Sequence, residues 1–396
     1  MTSRRPLPPP LAPAVPGSFA QRTLRERLPR IVGEVLETAR LAPAARARLR
    51  RARDRLPEAT VRRLAPGPGE GPLWDAFFRT HAGRRLAELP FFELEAYFYL
   101  WVLTETGYFE TGADPFSAAK RNEFAASVPS LEAASRATLQ EDALAPRRAV
   151  RRALQRAVLG NHADASNPEV LGAGPGGLEL AQHVPWRRVE GLLLGGPKVV
   201  FLADNAMSEL WYDLVLARSV VRAAPAIRVE LVLKRHPLFV SDAVPGDVEG
   251  LWELAEAQRA APGLRRLTRE LRAAVDEGRI AIRSWSELNA PLHFSAPELS
   301  RRLDPDVPLV LMGDANYRRA LEDRAWPPTT PLGLACRMPA RRVLFLRVMK
   351  SECVAGLPAP LVRRLERADR SWRTDGRYAI SQLLQPRGKG GPAGDG

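Results

Sequence analysis

Four apolar runs, at residues 198–203, 227–233, 307–312 and 342–346, each give way to polar residues that a hydrophobic core does not require. The runs are short and rich in Val, Leu and Ile, a pattern that predicts buried strands. At or soon after their C-terminal ends stand Asp204 and Asn205, Asp242, Asp314 and Lys350. Helical stretches separate the runs, so strand alternates with helix and the sheet should be largely parallel. In such a sheet, ligands bind in the crevice outside the carboxyl ends of the strands. Three carboxylates, an amide and an ammonium gathered there suit a hard divalent cation and a phosphate.

The chain has 396 residues, enough for two domains or one large one. Residues 1–18 are proline-rich and are expected to be a disordered tail. Residues 19–170 carry apolar positions at helical spacing and predict a mostly helical domain, punctuated by Pro43, Pro57 and the run from Pro66 to Pro72. Residues 171–187 read as a flexible connection, 188–385 as an α/β domain and 386–396 as a glycine-rich tail. The expected fold class is α/β: a three-layer α/β/α, Rossmann-like domain preceded by the helical one.

The formal charge of +14 raises the question of a nucleic acid or an anionic membrane. Its source is mainly arginine spread through segments such as 46–55 and 147–156, which also carry Ala and Leu at helical spacing. These are solvated helix faces, and no nucleic-acid module or interleaving of aromatic with basic residues accompanies them. No apolar run is long enough to cross a bilayer. Prolines follow Arg4 and Arg5 where a secretory signal would be apolar, and Cys336 and Cys353 fit neither a disulfide framework nor a zinc site. The expectation is a cytoplasmic protein with free thiols and no nucleic-acid or membrane partner.

Each candidate residue also has a plainer reading. A lone Asp at a strand end usually caps the next helix, and Lys350 alone is an ordinary surface lysine. His236, followed by Pro237, reads as a loop residue. The glycine-rich stretch Gly172 to Gly177 has no strand before it and is interrupted by Pro175, so it reads as a connection and not as a nucleotide or methyl-donor loop. For Asp204, Asn205, Asp242 and Lys350 the order along the chain favours chemistry.

Those residues lie in segments that resemble a known family. Ala203-Asp204-Asn205-Ala206, followed by Glu209-Leu210 and Asp213-Leu214, resembles the aspartate-asparagine signature of the metal-dependent damage-control phosphatases. The subgroup it is most similar to is also described as protein-glutamate (acidic residue) O-methyltransferases. Lys234 to Asp242 resembles the K-x-x-P-x-FVSD segment, Gly313 to Arg319 the KGD-x-NYR segment with Asp323-Arg324-x-Trp326 after it, and Arg347 to Lys350 the RTxK motif followed by Val354-Ala355-Gly356-Leu357. Weaker matches lie in the helical half, at Glu95-x-Tyr97-x-Tyr99, at Asp114-Pro115-Phe116 with Lys120, and at Gly160-Asn161-x-Ala163-Asp164-x-Ser166.

The resemblance implies that Asp204, Asn205 and Asp242 hold one divalent metal ion, with Asp204 and Asp242 at the reaction centre. It implies that Asp314, Asn316, Tyr317, Arg318 and Lys350 contact phosphate and substrate. The ion would be Mn2+ or Mg2+, with Co2+ or Ni2+ as further candidates, and the substrate a small phosphorylated metabolite such as a sugar phosphate. Such a metal and lysine would neutralise a transferring phosphoryl group. The alternatives are a catalytically silent relative that binds metal and a phosphorylated ligand, and an S-adenosylmethionine-dependent carboxyl methyltransferase.

Four positions depart from the family pattern: Met207 for Gly, Met312 for Lys, Val348 for Thr and Leu100 for Arg. Met207 matters most. A Gly there would serve a positive φ or a close backbone approach, so a Met should strain the turn or fill the pocket. Since the metal residues are intact, metal binding is expected to persist while substrate choice has shifted.

Overall fold

The computed structural model describes residues 6–142, 145–160, 179–182, 184–340 and 342–385. Asn161 to Ser166, Gly172 to Gly177 and both chain ends at 1–5 and 386–396 lie outside the described residues.

The apolar runs form the centre of one sheet, as their composition predicts. Among the described residues it has seven strands: β1 (Glu179–Gln182), β2 (Lys198–Leu202), β3 (Arg228–Lys234), β4 (Ile280–Trp285), β5 (Leu309–Met312), β6 (Val343–Val348) and β7 (Tyr378–Leu384). The order is β1-β7-β6-β5-β2-β3-β4. All neighbours are parallel except β6 and β7. From β2 the chain moves outward to β3 and β4, whereas from β5 it moves the other way to β6. The strands β2 and β5 are therefore adjacent strands whose connections diverge, the topological switch point where such sheets open a crevice.

Alternation along the strands divides two cores. Val199 and Phe201 of β2 face one side with Leu231 and Leu233 of β3, while Val200 and Leu202 face the other with Val232. The first side is covered by α5 (Ser117–Glu141), α6 (Pro146–Gly160), α7 (Trp186–Leu194), α8 (Met207–Ala223), α9 (Pro245–Glu256) and α10 (Pro262–Asp276). The second side is covered by α11 (Gly313–Ala320) and α12 (Ala359–Ala368), with Trp372 and Met349. The fold is a three-layer α/β/α arrangement.

A third core belongs to the N-terminal helices. The first, α1, runs through Phe19–Arg22, a π-helical turn Thr23–Arg27 and Leu28–Thr38. It packs with α2 (Pro43–Arg53), α3 (Gly71–His81) and α4 (Phe91–Thr106), whose Tyr99, Leu100 and Leu103 are buried. The pair α5 and α6 does not join this core. Phe124, Leu131, Val150 and Ala153 pack with the helices on the sheet. An amphipathic helix shows in sequence that it buries a face, but not against which neighbour.

Residues 8–11, which composition places in a disordered tail, are fixed across the molecule. Ala325 N–H donates to Pro9 O at 3.0 Å, Leu11 N–H to Asp323 O at 2.9 Å and Phe91 N–H to Leu11 O at 2.7 Å. Prolines disfavour a helix here but suit an extended strap whose carbonyls accept from both domains. His236 is also more than a loop residue: it is buried, 2.8 Å from Glu70 and 3.1 Å from Asn289. The arginines of α2 behave as expected, with Ala45 and Leu49 buried and Arg50 and Arg51 exposed. Among the described residues no helix is long and apolar enough to cross a membrane.

One buried ion pair joins the layers. Lys120 of α5 is 3% exposed and donates to Asp114 Oδ2 at 2.9 Å and to Asp247 Oδ2 at 2.8 Å. Asp247 in turn accepts Val244 N–H at the start of α9. Removing one partner leaves buried carboxylates uncompensated. Lys120→Met is therefore expected to cost about 3 kcal/mol of unfolding free energy, read by urea denaturation.

Candidate functional site

The segments after β2 and β3 are stitched together at the switch point. Ala206 N–H donates to Ser241 O at 2.6 Å and Ala243 N–H to Asp204 O at 3.0 Å. This pairing places Asn205 beside Asp242. Together with Asp314 and Lys350 they line a cavity of about 490 Å³, a size suited to a small metabolite.

A buried ammonium organises the acids. Lys234, the last residue of β3, is 1% exposed, and its Nζ donates to Asp204 Oδ1 at 2.9 Å and to Asp242 Oδ1 at 2.6 Å. Burial works against the ammonium, but Asp204 and Asp242 outweigh it and hold the Lys234 pKa above its ordinary value. Burial pushes the Asp242 carboxyl up to about 6, with Lys234 opposing the rise. The other carboxylate oxygens take backbone donors: Asp242 Oδ2 accepts Phe239 N–H at 2.7 Å, and Asp204 Oδ2 accepts Ala315 N–H at 3.2 Å in the first turn of α11. Asn205 is fixed by Ser241 Oγ, which donates to its Oδ1 at 2.7 Å, and by Glu209 Oε2, which accepts from its Nδ2 at 2.8 Å.

These residues fit a hard cation in chemistry. Asp204 and Asp242 already converge on one positive charge, and Asn205 lines the same cavity. Among the described residues no three acidic, His or Cys side chains form a metal cage by themselves, so the third donor would be the amide.

Gly313 makes this arrangement possible. Its φ is +79°, and a Cβ built there would fall inside the Asp204 side chain. Only glycine lets the α11 backbone approach the acid this closely.

The residues of α11 divide by helical phase. Asp314, Ala315 and Arg318 line the cavity. Asn316 and Tyr317 do not. Asn316 is fully buried and donates to the carbonyls of Ala203 at 3.1 Å and Met312 at 2.9 Å, clamping the end of β2. Tyr317 packs on Phe345 and donates to Gln382 Oε1 at 2.9 Å. Arg318 reaches the wall with its guanidinium already engaged, in a two-pronged pair with Asp323 at 2.8 Å and with Glu95 Oε2 at 2.6 Å. Asp314 is 2.5 Å from the buried Arg347, and Lys350 follows on the same segment, its N–H 3.4 Å from Asp314 Oδ1.

Four residues that build the site lie in the matched motifs but were not among the expected metal and substrate contacts. Lys234 closes the apolar strand β3 and is buried beneath the two acids. Arg347, fully buried in β6, stacks 4.1 Å from the Tyr317 ring and anchors Asp314. Glu209 sits in the first turn of α8 and orients Asn205, and Asp213 follows it one turn later. Asp213 is fully buried, with no hydrogen-bond partner for either carboxylate oxygen among the described residues. Burial, with the charges of Glu209 and Asp204, raises its pKa well above the carboxylate range.

Met207 takes the conformation expected of the family's glycine, with φ of +55°. Its side chain is 4% exposed within the first-side core and does not line the cavity. The departure is thus accommodated as strain, with the pocket left open. Met312 and Val348 also point into that core, and Leu100 into the N-terminal one. At an ordinary helix position Ala is more stable than Gly by about 1 kcal/mol, whereas a Cβ at positive φ costs about 1–2 kcal/mol. Met207→Gly should accordingly be more stable than Met207→Ala, by about 1 kcal/mol in paired urea titrations.

The chain is also similar to known proteins. The sequence model of the damage-control phosphatase ARMT1-like domain matches residues 23–365. Damage-control phosphatase ARMT1 of Danio rerio is 29% identical over 202 residues, covering 48% of this chain and 43% of that protein. The Mus musculus protein of the same name is 29% identical over 196 residues, with 48% and 44% covered, and the Homo sapiens one 27% over 196, with 48% and 44%. The matched segment thus spans under half the length of these curated relatives. Among solved structures, a DUF89 family protein from Pyrococcus horikoshii aligns over 93% of this chain and 98% of its own, at 14% identity and a TM-score of 0.49. The chain belongs to the damage-control phosphatase ARMT1-like domain family.

Proposed function

We propose that this protein is a metal-dependent phosphatase that hydrolyses phosphate monoesters of small metabolites, sugar phosphates or damaged phosphometabolites among them. The observation that carries the reading is the convergence of Asp204, Asn205 and Asp242 in one cavity with Lys350, at the switch point of the sheet. A divalent ion held by those three side chains, Mn2+ or Mg2+ by donor chemistry and Co2+ or Ni2+ as further candidates, would supply charge neutralisation and polarise a phosphate oxygen.

The chain's own residues supply the rest. Lys350 places an ammonium at the cavity wall, where it can hold a phosphoryl oxygen as negative charge develops. Its neighbour Asp314 is fixed by the buried Arg347 guanidinium. Lys234 holds Asp204 and Asp242 in register, so little reorganisation is needed when a cation is taken up. Arg318 serves by anchoring Glu95 and Asp323, and Asn316 by fixing the strand end that carries Asp204.

Phosphate release from a panel of sugar phosphates and an aryl phosphate tests this, with Mn2+, Mg2+, Co2+ or Ni2+ supplied. The expected result is release that requires metal, is abolished by a chelator and falls at least about 1000-fold in Asp204→Ala. Metal-independent release, or release that persists in Asp204→Ala, would refute the reading.

A further inference from the structure

The cavity that holds Asp204 and Asp242 has a second polar wall, built by α1. Arg22, Thr23, Glu26, Arg27 and Arg30 all line it, at spacings that place them on one helical face. Along this face the helix changes geometry, adopting π form over Thr23–Arg27. Such turns are rare and concentrate at functional sites. Thr23 is 1% exposed, yet its hydroxyl has no hydrogen-bond partner among the described residues. A buried hydroxyl bordering a cavity in this condition calls for a ligand atom or water.

Arg22 and Arg30 are less engaged among the described residues than Arg318 is. Among the described residues Arg30 has only a 3.6 Å pair with Glu34 on its own helix, at 45% exposure, a weak class of contact. Arg22 donates to Gly17 O at 2.6 Å, the one hydrogen bond of its guanidinium among the described residues, and Arg27 pairs with Glu95 at 3.6 Å. The wall is also fixed to the candidate catalytic segment. Phe19 N–H donates to Glu352 Oε1 at 3.2 Å, two residues beyond Lys350, and the Phe19 ring meets Phe91 edge-on at 5.9 Å.

Resting on the phosphatase reading above, we propose that the α1 wall is the specificity site of this cavity. It binds a second anionic group of the substrate, a carboxylate or a second phosphate, while the ester phosphate lies at the Asp204 and Lys350 end. Guanidinium forks match both anions geometrically, and Glu26 can accept from hydroxyls between them. The substrate class is then a polyhydroxylated phosphomonoester with a further negative charge.

Two probes that differ only by that charge, glucose 1-phosphate and glucose 1,6-bisphosphate, test the assignment. Calorimetric affinity and phosphate release are measured on the Mn2+-supplied protein, the Arg22→Gln/Arg30→Gln double variant and Arg30→Gln alone. Arg30 is exposed enough for the single variant to fold. The wild type should bind the bisphosphate at least about tenfold more tightly, and the double variant should erase that preference, with the turnover loss carried in KM. Arg30→Gln alone should erase about a threefold part of it. Equal affinities in the wild type, or a preference unchanged in both variants, would overturn the proposal. If neither probe releases phosphate, the panel of phosphate esters decides the phosphatase reading separately, and the affinities still decide the role of the wall.

Discussion

The Lys234 ammonium, held between the carboxylates of Asp204 and Asp242, is the contact on which the rest of the site depends. Two acids on adjacent strand ends repel each other in a low-dielectric interior, and burial alone would drive one of them neutral. A lysine that ends β3 and turns back beneath both carboxylates removes that conflict. Two negative charges against one positive leave the cluster short of positive charge at the cavity wall. That deficit is what a cation-binding site needs, and it is created with nearly every participating atom out of bulk water.

Everything around this cluster serves to keep its geometry. Gly313 brings α11 against Asp204, Asn316 clamps the strand end before it, and Glu209 with Ser241 holds the Asn205 amide from both sides. Met207 shows how firmly the arrangement is imposed, since a residue that avoids positive φ is made to adopt it. The side chain is absorbed by the core, so the strain is borne by the backbone and the cavity stays clear.

Much of this was legible in the chain because buried parallel strands must be apolar and ligand residues must follow them. The four central strands, and the polar residues at their ends, satisfy both conditions. The edge strands β1 and β4 carry Glu179, Gln182, Arg283 and Ser284, and such mixed composition gives no clear period. Co-linear motifs singled out Asp204, Asn205, Asp242, Asp314 and Lys350, which the fold does bring to one cavity. They could not separate Asp314 and Arg318 from Asn316 and Tyr317, because the phase of the helix relative to the cavity, and not the order along the chain, decides which positions face it. The motifs contained Lys234 but could not show that it pairs with both Asp204 and Asp242, nor could they reveal the α1 wall, which lies far from the other site residues along the chain.

Calorimetric titration of Mn2+ into the purified protein tests the central claim most directly, because it asks only whether the Lys234-organised acids form a cation site. The account predicts saturable uptake of a single ion per chain, weakened at least about tenfold in Asp242→Asn. Absence of binding by the folded protein, or equal affinity in Asp242→Asn, would contradict it.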